Sequence, residues 1–322
     1  MMKGLNKNLH LNFDRKLVPT RSGYGDALVE LGRSKKIMVL CADLTDSTKV
    51  NKFAKKYPKQ FVEMGVAEQN LVTVASGLAA VGKIPFASSY AAFCPGRCWE
   101  QIRTTICYND QNVKIIGAHA GVSVGPDGAT HQMLEDIGIM RTLPNMVVVV
   151  PADYEQTKKA TKAIAKFKGP CYMRFARSAS AQMTTSKTPF KIGKAQVLKN
   201  GTDIALIAAG PVVAECMQAA EDLEEKGINV MVINSHTIKP LDKKTILMAA
   251  KKCKKIITVE EGQITGGLGG AVAEFLSENY PVLVKRIGMK DRFGESGEPA
   301  ELLKKFGFSA GHVVKEALKM CR

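Results

Sequence analysis

No stretch of this 322-residue chain approaches the ~20 consecutive apolar residues that cross a bilayer, so the sequence offers no membrane-spanning helix. The N-terminal MMKGLNKNLHLNFDRK is basic but lacks the apolar centre of a secretory signal, and reads as a surface lead-in. Close cysteine pairs are scarce. Of eight cysteines, only Cys94 and Cys98 in CPGRC lie near each other, and no second pair or histidine cluster completes a metal site. The expectation is reduced, structural thiols in a cytoplasmic protein. No aromatic-and-arginine platform for stacking bases is present, which argues against nucleic acid. Acidic residues are the minority charge, with Asp+Glu 30 against Lys+Arg 46 and a net charge of +16. The lysines fall in short runs such as SKK, AKK and AAKKCKK, which read as solvated helix faces. An excess of this kind attracts anionic substrates or an acidic partner subunit. A clean G-x-G-x-x-G with a later ribose-binding acid is also missing, so the glycines of GQITGGLGGAVAEFL read as close helix–strand packing.

What is present is an α/β rhythm. Hydrophobic residues make up 45%, enough for ordinary cores, and the length fits about two domains. IMVLCA, VKIIGAH, MVVVVP and CYMRFA are apolar runs without strict alternation, as parallel strands buried on both faces require. Helical segments separate them, among them DYEQTKKATKAIAKF with an Asp cap. The rhythm pauses at ARSASAQMTTSKTPFKIGKAQ, read as a linker, and resumes with DIALIAAG, INVMVINS, KIITVEE and VLVKRIG. The prediction is two α/β domains on either side of this linker stretch, residues 176–196, each a largely parallel sheet with helices on both faces.

Two segments carry chemistry. Glu68 opens a helix whose apolar residues fall at Leu71, Val74, Ala75, Leu78 and Ala79, with Gly82 closing it. An acid there is favoured by the helix dipole, worth about 0.3–1 kcal/mol, and by itself Glu68 needs no other explanation. It has no basic residue beside it in sequence. The second segment, GAHAGVSVGPDGATHQ, follows a strand and places His119, Asp127 and His131 on one glycine-rich loop. Strand carboxyl ends in open α/β sheets are where ligands bind, and two histidines with an aspartate there point to a site.

With EMGVAEQN, IPFASSYAAF, GVSVGPDGATHQMLEDIGIMRTLPNM and VVVPAD taken together, nearly the whole chain resembles the transketolase family, in particular the C-terminal half that is a separate chain in split transketolases. The resemblance implies a thiamine-diphosphate pyrimidine-binding domain, residues 1–185, followed by a transketolase C-terminal α/β domain, residues 186–322. It implies transfer of a two-carbon ketol unit from a ketose phosphate to an aldose in carbohydrate metabolism. Glu68 matches the glutamate that bonds the cofactor's ring nitrogen, where burial favours sharing its proton and the helix end favours its anion. Phe93, with Tyr90 beside it, resembles the aromatic stacked on the pyrimidine, although core packing also accounts for either ring. His119 and His131 match histidines that contact substrate and assist proton transfer. Asp43, Ser47, Asp127 and Arg177 match substrate contacts, the guanidinium suiting a terminal phosphate, and Arg21 resembles a further arginine. Arg174, at odd spacing from Arg177, is expected on the other side of its strand.

The family's GDG-and-Asn segment for the diphosphate and Mg²⁺ has no match here. The resemblance therefore implies an N-terminal partner subunit that holds the metal, in an α₂β₂ assembly, and a chain inactive alone. The β chain of a 2-oxo-acid dehydrogenase, a deoxyxylulose-phosphate-synthase-like enzyme and a non-catalytic assembly subunit are the alternatives.

Overall fold

The protein is described by a computed structural model covering Leu5 and residues 17–321. The basic lead-in read from the sequence, Leu5 apart, lies outside the described residues. The chain begins with β1 (Leu17–Pro19), α1 (Thr20–Leu31), β2 (Ile37–Cys41), α2 (Asn51–Lys56) and β3 (Phe61–Glu63). It continues through α3 (Glu68–Ala80), β4 (Ile84–Tyr90), the short α4 (Trp99–Gln101) and β5 (Lys114–Ala118). Next come α5 (Asp136–Arg141), β6 (Val147–Val149), α6 (Tyr154–Lys166), β7 (Cys171–Phe175) and β8 (Ala179–Ala181).

Six of these strands form a parallel sheet in the order β6-β7-β5-β4-β2-β3. Successive residues of each strand alternate between two cores. Val39, Phe86, Ile116 and Val149 pack with Tyr24 and Leu28 of α1 and Ile164 of α6. Their neighbours Leu40, Ala87, Ile115 and Val148 pack with Leu71, Val72 and Ala75 of α3 and Met140 of α5. Both faces are covered, so both residues of each pair must be apolar, and the strand runs lose their alternation.

A second sheet is built from β9 (Gln196–Lys199), β10 (Ile204–Ala208), β11 (Val230–Asn234), β13 (Lys255–Gln263) and β14 (Leu283–Met289), in the order β14-β13-β10-β11-β9. Its strands are parallel except β9. The helices α7 (Val213–Glu224), α8 (Lys243–Cys253), α9 (Leu268–Asn279), α10 (Pro299–Lys305) and α11 (Ala310–Cys321) complete the chain. One strand crosses between the halves: β12 (Thr237–Lys239), from the second series, pairs antiparallel with β6 at the edge of the first sheet.

The stretch read as a linker is tied to the first half. Its β8 pairs with β1, and the Asp153 carboxylate accepts bonds from the Met183 and Thr184 amides at 2.9 and 2.6 Å. The glycines of the 262–270 turn do bring helix and strand together. The Glu260 carboxyl oxygens accept the Leu268 and Gly269 amides, each at 2.7 Å, so the first turn of α9 is already capped by an acidic side chain of its own chain. All eight cysteines are free thiols, seven of them buried. Among the described residues no helix is long and apolar enough to cross a membrane.

Candidate active site

Because β2, β4, β5 and β7 are parallel, their carboxyl ends emerge at one edge of the sheet. Asp43 and Ser47 follow β2, Phe93 follows β4, His119 follows β5 and Arg177 follows β7. Sequence separations of more than a hundred residues thus collapse onto one rim, the usual position of an α/β site.

Glu68 is the first residue of α3 and is only 2% exposed. The face of α3 turned inward carries Glu68, Leu71, Val72, Ala75 and Ser76, with Val74, Leu78 and Ala79 only partly buried. One carboxylate oxygen accepts a 2.7 Å bond from the Arg97 guanidinium, and the Ser89 hydroxyl donates to the other at 3.4 Å. The guanidinium also lies over the Phe93 ring, 4.7 Å from its centroid. Arg97 belongs to CPGRC, a segment notable in the sequence only for its two thiols. A buried carboxylate must be paired or hydrogen-bonded, but nothing in the sequence near Glu68 names the partner.

From Phe93 the site runs on through rings. Tyr90 stacks on His119 at 4.0 Å, and His131 meets Phe93 edge-on at 5.4 Å. Arg21 closes the far side: its guanidinium lies 3.5 Å from His119 Nε2 and donates to the Ser47 carbonyl at 3.0 Å. Burial first, then the cations of Arg21 and Arg177, push the His119 pKa down to about 3, so the ring is neutral. Burial and Arg177 lower the Arg21 pKa as well.

The loop after β5 turns through Gly121, Gly125 and Gly128, all at positive φ, where a side chain would be strained. Asp127, exposed on that loop, accepts a 3.1 Å bond from Arg177, which also donates to the Val124 carbonyl at 2.8 Å. Two residues that the sequence did not single out fix the loop. The Glu261 carboxylate, from the second half, accepts the Ser123 amide at 2.5 Å. The Gln132 amide donates to the Val122, Gly125 and Glu295 carbonyls. Asp43 stands slightly apart: its own amide is held by Glu63 at 2.7 Å, at a φ of 57°. Arg174 and Arg177 do part company, Arg174 being buried with the Glu261 carbonyl as its acceptor.

The structure brings together a buried acid, an aromatic face beside it and a rim of neutral imidazole and guanidinium. Residues 16–182 match the family described as transketolase, pyrimidine binding domain, and residues 193–313 match the transketolase C-terminal domain. The chain belongs to the transketolase family. A solved structure described as "Split gene transketolase, inactive beta4 tetramer" superposes with a TM-score of 0.88 at 46% identity, covering 94% of this chain and 98% of that one. The putative transketolase C-terminal section of Methanocaldococcus jannaschii is 46% identical, over 93% of this chain and 95% of its own length. An apulose-4-phosphate transketolase subunit of Phocaeicola vulgatus is 40% identical, over 95% of this chain and 98% of its own length. This transketolase-family chain thus corresponds almost end to end to subunits of divided transketolases.

The Glu68 carboxylate and the Phe93 face already engage a flat nitrogen-bearing group of the chain itself, the Arg97 guanidinium, which makes the two contacts that a flat nitrogen heterocycle would need. Among the described residues no group of three or more His, Cys, Asp or Glu side chains is placed to hold a metal ion.

Proposed function

We propose that this chain is the C-terminal subunit of a thiamine-diphosphate-dependent transketolase, moving a two-carbon ketol unit from a ketose phosphate to an aldose. Residues 1–185 form its pyrimidine-binding domain and 186–322 its C-terminal domain. One observation carries the reading: a carboxylate only 2% exposed at the start of α3, beside an aromatic face over which a flat nitrogen-bearing group already lies. When bound, the cofactor supplies an electron sink for the carbon–carbon bond being broken. Glu68 bonds and shares a proton with its pyrimidine nitrogen, while Phe93 and Tyr90 wall the pocket. His119, neutral and therefore able to accept a proton, acts with His131 on the substrate hydroxyls. Arg177, Arg21 and Ser47 receive the terminal phosphate, with Asp43 and Asp127 around the sugar.

The Mg²⁺ and diphosphate fall to a separate N-terminal subunit, in an α₂β₂ assembly. Supporting this are the relatives that divide at the same place, one of them solved as an inactive tetramer. Gel filtration with and without the N-terminal chain, followed by a ketose-donor assay, tests the reading. Two-carbon transfer is expected only from the reconstituted complex, and Glu68→Gln lowers its turnover by about 10²–10⁴-fold while the two chains still assemble on gel filtration. Full turnover by the isolated chain, or by the Glu68 variant, refutes it.

A further inference from the structure

The ion pair at Glu68 is lopsided. The carboxylate side chain is 1% exposed, but the Arg97 side chain that neutralises it is 48% exposed. Glu68 is fixed by α3, whereas Arg97 reaches in from a turn and keeps one side in solvent. The turn is firmly seated, since Cys94 and Cys98 on either side of it are fully buried. The guanidinium therefore can leave by side-chain rotation, with the backbone unmoved.

One flat group of N–H donors thus occupies both an oxygen of Glu68 and a face of Phe93. Those are the two contacts assigned above to the cofactor's aminopyrimidine, and two flat groups cannot stack on the same face and bond the same oxygen. We infer that Arg97 is a displaceable stand-in for the cofactor ring: it holds the pocket until the ring arrives and then swings into solvent. The inference rests on the thiamine assignment of the pocket. While Arg97 is in place, the buried carboxylate has a counter-charge and is not stranded. Once Arg97 leaves, Glu68 changes from an ion-paired anion to a group free to share a proton with the ring. The exchange also lowers apparent affinity, because only chains with Arg97 withdrawn can accept the ring.

The test is calorimetric titration of thiamine diphosphate with Mg²⁺ into the reconstituted two-chain complex, using wild type, Arg97→Met and Arg97→Lys. Methionine keeps an unbranched apolar stem over Phe93 but cannot bond Glu68. If the open arrangement is about a tenth of the population, Arg97→Met binds about tenfold tighter. Arg97→Lys, a cation without the planar fork, falls between. A double-mutant cycle of Arg97→Met with Glu68→Gln, read from melting, gives coupling without cofactor and none at saturation. Arg97→Met binding no tighter than wild type overturns the inference, as does coupling that persists at saturation, which makes Arg97 a permanent partner of Glu68. If wild type binds and the variant gains nothing, the inference falls alone. If no form binds, the functional assignment falls with it.

Discussion

At His119, burial and the cations of Arg21 and Arg177 act in the same direction, and each disfavours the imidazolium. The folded-state pKa is pushed down to about 3 from an ordinary value of 6.5. Between those two values the unfolded chain binds a proton that the folded chain refuses, so this residue makes stability fall as pH drops through 6.5 towards 3. His119→Asn removes that dependence, flattening the slope by at most about 1.4 kcal/mol per pH unit. Urea denaturation of both proteins at pH 7 and pH 5 checks it, and parallel changes in stability refute it. The buried His236, lowered to about 4, keeps its own share of the slope in the variant. Residues of this kind were legible in the sequence because each sits in a short run with a local reason: His119 and Asp127 on a glycine-rich loop, Glu68 at a helix start. Arg97 was not legible, since its partner lies 29 residues away and no local pattern names the arginine that a buried acid selects.

Among the elements, α6 combines local and long-range information at one residue. The aspartate of DYEQTKKATKAIAKF reads as an N-cap, and Asp153 Oδ1 does accept the Gln156 amide at 2.8 Å. What the sequence could not reveal is that the same carboxylate also holds the Met183 and Thr184 amides and the Thr184 hydroxyl. The stretch read as a linker is pinned there, after its β8 pairs with β1. Polar composition says nothing of which carboxylate waits for its amides. Asp153→Ala therefore loses more than a cap worth about 1 kcal/mol. It strands buried donors at about 1–3 kcal/mol each, and about 3–5 kcal/mol overall is expected by urea denaturation. A loss under about 1 kcal/mol means that the linker contacts contribute nothing.

Across the whole molecule, alternation of apolar runs and helices made both parallel sheets legible, because double-sided burial dictates the composition of each strand. The joint between the halves was not, since the apolar clusters that span it bring together residues far apart in sequence, and β12 is three residues long and paired away from its own sequence neighbours. Arg174 lies at that joint. It is 5% exposed, donates to the Glu261 carbonyl and lies 3.5 Å from the Asp136 carboxylate, which also accepts the Tyr172 hydroxyl at 2.6 Å. Burial raises the pKa of Glu260 and of Glu261, and the Arg174 charge pulls against that rise in both. Replacing Arg174 with Met keeps much of the volume but removes the cation from three buried carboxyl groups. Breaking a buried pair in this way costs about 3–5 kcal/mol at neutral pH. The sign of the pH dependence then follows. Without the cation the folded-state pKa values of Glu260 and Glu261 rise further above the unfolded ones, so the folded variant binds more protons than the unfolded chain. Its stability is regained as pH falls towards the ordinary carboxylate range and is lost as pH rises through the folded values. Stability of Arg174→Met relative to wild type, measured at pH 7.5 and pH 5.5, should show the deficit shrinking at the lower pH. A deficit that is constant or grows there means the arginine serves as packing, with the charge at the joint carried by other groups.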